Sequence, residues 1–202
     1  MDDPLMIGVI ITFGIFALII ILIAIFRPPH IETPEKRAGR LGEQFASTLI
    51  REILTEDDIL LTNVPLYADD KETELDNLVV NSHGVFIIEV KNYNGELFGN
   101  EEDYEWIKNK ISPGGSFYQT KVKNPIRQVK RQIYILSQVF KQNYIDAWIE
   151  GYVFLTERNS PVDSPLVLDT QADMDRVIHS GDNILSAQTI ERIVSALIPD
   201  EE

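Results

Sequence analysis

Asp76, Glu89 and Lys91 are spaced as the two arms of one β-hairpin would place three groups able to do chemistry together. From Val85 to Lys91 both alternating sets of residues are apolar until Glu89 and Lys91, the pattern of a strand covered on both faces. These two charged residues share one face, at the end of the strand where solvent is expected to reach them. The turn formers Asn81, Ser82, His83 and Gly84 separate this strand from a preceding one at Glu74 to Val80. A symmetric turn pairs Val80 with Val85; facing residues then sum to a constant, which sets Asp76 opposite Glu89 and Glu74 opposite Lys91. Directly paired residues have Cβ atoms about 4.5–5.5 Å apart, so two carboxylates placed there repel unless a cation or a shared proton lies between them. Mg²⁺ or Mn²⁺ suits such oxygens, and Lys91 alongside would orient or activate a water and offset charge on a phosphoryl oxygen. The bland alternative is a salt-bridged cluster at a sheet end.

A second group is electrostatic. Lys121, Lys123, Arg127, Lys130 and Arg131 fall within eleven residues that contain no acid, in a chain whose formal net charge is −14. The chain as a whole is therefore no basic nucleic-acid coat, and contact with phosphates would have to use this local patch, which otherwise is a solvated face. Tyr93, Trp106, Phe117 and Tyr118 could stack on bases, but packing down a hairpin is the reading favoured for them. His30, His83 and His179 are isolated, and Gly114 and Gly115 lack the Lys and Ser or Thr of a phosphate-binding loop. With no cysteine, thiolate metal sites, a disulfide scaffold and a cysteine nucleophile are excluded.

The elements that must position these groups are legible from periodicity. Arg40 to Leu54 carries apolar residues at Leu41, Phe45, Leu49, Ile50, Ile53 and Leu54, which predicts an amphipathic helix. Strands are predicted at Ile59 to Val64, Glu74 to Val80 and Val85 to Lys91, with shorter ones at Gly95 to Gly99 and Tyr104 to Lys108 in a peripheral hairpin. Pro125 opens a second helix that runs to about Tyr144. A strand at Tyr152 to Thr156, a further one at Leu166 to Leu168, and a helix at Ala187 to Ile198 capped by Ser186 close the chain.

Ahead of all this, Leu5 to Phe26 has no charged residue and as a helix would span about 33 Å, the thickness of a bilayer core. Asp2 and Asp3 precede it, while Arg27, Lys36, Arg37 and Arg40 follow. The positive-inside bias therefore predicts a retained single-pass anchor in the cell (inner) membrane, with the N-terminus outside and the rest in the cytoplasm. The expected organisation is an anchor over 1–27, a linker over 28–35 and one domain over 36–202, with its core at about 36–156 and an extension over 157–202.

Several of these residues together resemble a known family. Gly39, Arg40, Leu41, Gly42 and Glu43 opening a helix, then Glu74, Leu75 and Asp76, then Gly84 through Glu89, Val90, Lys91 and Asn92, and later Asn124, Pro125 and Gln128, look like the NERD (nuclease-related domain) family. That family is assigned to the PD-(D/E)xK nuclease superfamily, and the resemblance covers about residues 36 to 156. It implies a mixed α/β fold with a restriction-endonuclease-like core of one helix, three antiparallel strands, a second helix and a further strand, in agreement with the order read from periodicity. It implies that Asp76 and Glu89 ligate the metal, that Lys91 assists the attacking water, and that Glu43 adds an acidic ligand from the first helix. Gln128 would contact the substrate phosphate or position the site. Leu75 stands where the superfamily's name has proline. The implied activity is metal-dependent hydrolysis of DNA; the rivals are a non-catalytic nucleic-acid-binding module and a membrane-tethered interaction scaffold. For the topology, protease added outside intact cells is expected to spare residues 30 to 202, and digestion of that region would refute it.

Overall fold

The computed structural model of the chain describes residues 16–18, 32–112 and 114–198. The chain divides into two units, Met1–Arg37 and Ala38–Glu202. In the first, residues 16–18 are helical and Thr33 accepts the backbone amides of Lys36, on its side chain, and of Arg37. Apart from those three residues, the stretch expected as an anchor lies outside the described residues, as do Pro28 and Pro29 of the expected linker. Among the described residues no helix is long and apolar enough to cross a membrane.

The second unit runs through α1 (Pro34–Ile53, from Ala38 onward), β1 (Ile59–Ala68), β2 (Lys71–Asn81), β3 (Gly84–Lys91), β4 (Glu96–Phe98), β5 (Glu105–Ile111) and β6 (Phe117–Lys123). It continues with α2 (Pro125–Gln142), β7 (Ile149–Leu155), β8 (Val167–Leu168), α3 (Gln171–His179) and α4 (Ala187–Leu197). The main sheet has the order β1-β2-β3-β7-β8, with β1, β2 and β3 antiparallel and β7 and β8 parallel to their neighbours. A parallel neighbour needs a crossover, and β4, β5, β6 and α2 supply it between β3 and β7. Helices cover both faces of the sheet. Leu78, Val80, Val85 and Ile87 pack with Ile135, Leu136 and Phe140 of α2 and Ile193 and Leu197 of α4. On the other face Val79, Phe86, Ile88 and Val90 pack with Ala46 and Ile50 of α1 and Met174 and Ile178 of α3. This explains why β3 reads as an unbroken apolar run.

Helix α1 corrects the sequence reading. Its buried residues are Gly42, Ala46, Ser47 and Ile50, whereas Leu41 and Phe45, expected to face the core, are about half exposed. Small residues win the inner face because the helix must lie close to the chain after β3: a Cβ on Gly42 would stand 2.8 Å from the Asn92 Cβ. Asn92 closes the contact, donating its side-chain amide to the Ala38 carbonyl at 2.8 Å and accepting from the Thr156 hydroxyl at 3.0 Å. Gly151 on β7 has the same role against α2, where a Cβ would meet Val129 at 2.4 Å.

Two elements were not read from the sequence. Strand β6 pairs with β5 from Glu105↔Lys123 to Ile111↔Phe117 and lengthens the expected hairpin. Helix α3 is opened by Thr170, whose hydroxyl accepts from the Asp173 amide while Asp173 reaches back to Thr170, a capping box visible in the sequence as Thr-x-x-Asp. At its other end His179 is gripped by two carboxylates, Nε2–H donating to Asp58 at 3.0 Å and Nδ1–H to Asp175 at 2.7 Å. Burial opposes the charge on this imidazolium, but Asp58 and Asp175 outweigh it and hold His179 above its ordinary value. Burial likewise opposes the Asp58 carboxylate, yet the Thr55 amide, His179 and Asn81 together hold it below its ordinary range.

Two outcomes follow from these contacts. Gly42→Ala should destabilise the fold by about 1–3 kcal/mol, because the Asn92 Cβ has no free rotor to move aside; a urea midpoint equal to wild type would refute the close contact. For His179 the folded value is raised, so its contribution is complete below its ordinary value of 6.5 and is lost as pH rises through the higher folded value. For Asp58 the folded value is depressed, so its contribution is present above its ordinary value of 3.8 and is lost as pH falls through the lower one. Hence His179→Ala should cost about 2 kcal/mol in the window between these values and progressively less at alkaline pH, measured as the difference in urea midpoints at pH 5.5 and pH 9.

Candidate active site

The hairpin closes as its turn chemistry demands, with Asn81↔Gly84 and Val80↔Val85 paired. The Asn81 side chain accepts from the amides of His83 and Gly84 at 2.9 and 3.2 Å. The register continues to Asn77↔Ile88 and there the ladder stops, one step before Asp76 and Glu89. In place of a main-chain bond, Asp76 Oδ2 accepts the amide of Val90 at 2.8 Å. On the other side the β1–β2 ladder passes from Thr62↔Asn77 to Val64↔Leu75, and Asn63 between them adopts a left-handed φ of 54°. Asp76 thus stands at a gap in both ladders, the kind of local distortion that frees a side chain for chemistry.

Glu89 is placed differently from expectation. It has no solvent exposure, because α2 lies over that end of β3. Gln128 donates to Oε1 at 2.6 Å and Gln132 to Oε2 at 2.6 Å, and the Lys91 ammonium donates to Oε1 as well. Gln132, itself fully buried, donates also to the Glu74 carbonyl at 3.0 Å and so bridges β2 and β3 where their ladder is open. Sequence reasoning missed Gln132, although its spacing of four from Gln128 puts both amides on one helix face. That face is fixed by Asn124, which caps α2 by accepting from Ile126 at 2.9 Å and donates to the carbonyls of Glu101 and Asp103, both at 2.8 Å. Ser47 ties α1 to the same region, donating to Asn77 at 2.7 Å.

The charges interact strongly. Burial, then the adjacent Glu89 charge and more weakly Glu43, push the Asp76 carboxyl up to about 7 against the counter-pull of the Val90 amide and Lys91. Burial works against the Lys91 ammonium, but Glu89 and Asp76 more than compensate and hold it above the usual lysine range. Glu43 therefore acts on Asp76 through its charge; among the described residues no three Asp, Glu or His side chains converge into a ready metal cage. The donor set fits Mg²⁺ or Mn²⁺ nonetheless. Mg²⁺ characteristically takes one or two carboxylates and completes its shell with waters and substrate phosphate oxygens. Asp76 and Glu89 are such a pair, and the buried Gln132 Oε1 beside them has no donor.

The five basic residues separate. Lys121 pairs with Glu105 at 3.0 Å, and Lys130 with Glu101 and Glu102 at 3.2 and 3.6 Å, so these two belong to a solvated face. Lys123, Arg127 and Arg131 line one cleft of about 500 Å³ together with Thr73, Tyr104 and Gln128. Gln128 lines this cleft and also donates to the buried Glu89, so a single side chain connects the two. Of the aromatic residues, Trp106 is buried and packs the small sheet β4-β5-β6 onto α2, whereas Phe117 and Tyr118 are exposed.

The chain is 27% identical over 127 residues to an uncharacterized protein of Bacillus anthracis, an alignment that takes in 61% of this chain and 58% of that one. The chain thus spans less than two thirds of the relative's length. No solved structure matches. The profile of the nuclease-related domain matches residues 38–156, which include α1, the hairpin, α2 and β7, and the chain belongs to the nuclease-related domain (NERD) family.

Proposed function

We propose that this protein is a membrane-anchored, metal-dependent nuclease that hydrolyses phosphodiester bonds in DNA, with Asp76 and Glu89 as ligands of Mg²⁺ or Mn²⁺ and residues 5–26 in the bilayer. The observation that carries the reading is the Asp76–Glu89 pair at the gap in the sheet, beside a cleft lined by Lys123, Arg127 and Arg131. Family membership supports a nuclease-like activity. The cleft cations would hold the phosphates flanking the scissile bond. Water adds to phosphorus as the P–O ester bond breaks, and the leaving oxygen takes up a proton. Lys91, kept cationic by Glu89, donates to the attacking water or to a phosphoryl oxygen; an ammonium cannot take the water's proton, so its part is orientation and charge stabilisation. Gln128 and Gln132 each donate to one Glu89 oxygen and fix the carboxylate in position. The bound cation would polarise the phosphoryl oxygen and lower the pKa of the attacking water.

One observation favours a non-catalytic binding module: both Glu89 oxygens already have protein donors, as in a self-contained ion-pair cluster. Cleavage of labelled DNA and RNA by the full-length chain in detergent separates the two readings. The nuclease reading expects cleavage with Mg²⁺ or Mn²⁺, none with EDTA, and a loss of at least about 100-fold in Asp76→Ala and in Lys91→Ala. Bound but uncut nucleic acid, with no metal-dependent thermal shift, would give the site to the binding module. Because Asp76 takes a proton at about 7, proton and metal compete there. The Mg²⁺ concentration for half-maximal thermal shift is therefore expected to rise as pH is lowered from 8 to 6, and a flat dependence would remove Asp76 from the ligand set.

A further inference from the structure

The β5–β6 hairpin has a surface that the proposed active site does not use. From Glu105 to Arg131 the chain carries seven Lys and Arg against a single acid, although the whole chain has a net charge of −14. Among the described residues Lys110, Lys123, Arg127 and Arg131 make no ion pair with a carboxylate. At the far end of the hairpin Ile111 pairs with Phe117 and Lys110 with Tyr118, and Ile111, Phe117 and Tyr118 are 75%, 62% and 43% exposed. These side chains border a cleft of about 550 Å³ that is also lined by Asn94, Asn109 and, as its one carboxylate, Glu96. The Asn109 side-chain oxygen is buried there without a hydrogen-bond donor.

Aromatic faces, amide groups and an uncompensated lysine are what a nucleobase with its phosphate requires: a flat surface to stack on, partners for the base edge, and a cation. An apolar protein face would leave the amides and the lysine unmatched. The position fits as well. The seven-residue strand β6 runs from Phe117 to Lys123, about 20 Å at strand rise, and Lys123 lines the cleft next to Gln128. A nucleic-acid strand held in that cleft can therefore follow β6 to the hairpin end, passing Lys121 on the way. In a duplex the base faces are stacked on one another, so only unpaired bases could use the aromatic rings.

We infer that the β5–β6 hairpin is a docking arm for single-stranded nucleic acid, which receives an unpaired base at Phe117, Tyr118 and Asn109 and leads its backbone past Lys123 to the Asp76–Glu89 site. The inference rests on the nuclease reading for its direction, but the arm binds whether or not the site cuts. Stacking on an aromatic ring does not choose between ribose and deoxyribose, so DNA and RNA are both candidates.

The test is fluorescence anisotropy with the full-length chain in detergent and EDTA, so that nothing is cleaved. The probes are a labelled 12-nucleotide DNA strand, its RNA equivalent, the same DNA with abasic sites, and the corresponding duplex. Wild type is expected to bind the single strands about tenfold more tightly than the abasic strand, since each stacked base contributes about 1–3 kcal/mol. Phe117→Ala/Tyr118→Ala, which removes exposed side chains only, is expected to bind intact and abasic strands alike and to leave duplex affinity unchanged. Equal binding of intact and abasic strands by wild type, or a double variant indistinguishable from it, overturns the inference. So does an absence of binding to every probe. Selective single-strand binding without cleavage on later addition of Mg²⁺ would retain the arm and defeat only the nuclease reading.

Discussion

A carboxylate without water around it has to be met by donors, and much of the second unit depends on how Glu89 is met. Its desolvation costs several kcal/mol unless fixed hydrogen bonds and an opposite charge replace the lost solvent. Gln128, Gln132 and Lys91 do so, and each imposes a condition on the fold. The two glutamines require α2 to lie across the end of β3 in one rotation and one axial position, which the Asn124 cap sets from outside the helix and Pro125 from its first turn. Lys91 must stay on the strand face of Glu89, which the pleat guarantees. Gly151 lets α2 approach β7 closely enough for the amides to reach.

Asp76 is the complementary constraint. Where Glu89 is satisfied from the helix, Asp76 takes its bond from the Val90 main chain and sits between interrupted ladders, partly buried and reluctant to ionise beside a second acid. A pair in which one carboxylate is locked and the other is pushed toward protonation carries a repulsion that a shared proton or a cation would relieve. The Glu89 charge raises both Asp76 and Lys91, whereas burial raises Asp76 and opposes the Lys91 ammonium.

The distribution of charge continues this division of labour. Among the described residues Lys123, Arg127 and Arg131 line the cleft next to Gln128 without an ion pair to a carboxylate, and Lys110 on the hairpin has none either. Lys121 and Lys130, which the sequence places in the same run, are spent on Glu105 and on Glu101 and Glu102. A count of basic residues therefore overstates the binding surface, and only the ion-pair pattern tells the two kinds apart.

Strand and helix periodicity, the turn at Asn81 to Gly84 and the constant-sum register follow from local sequence, because alternation, turn chemistry and the two-residue period are properties of neighbouring residues. On that basis the sequence alone determined the order of the core elements, the juxtaposition of Asp76 with Glu89, and the helix carrying Gln128. It did not determine that Glu89 is buried, that Gln132 shares its carboxylate, that α1 turns Gly42 and Ala46 inward in place of Leu41 and Phe45, or that Lys123 and Arg127 reach the site while Lys121 does not. Each of these depends on which surface covers which, and residues distant in the chain decide it: a helix laid across a strand end removes water from a carboxylate, and a close approach to Asn92 gives the inner face of a helix to its smallest side chains.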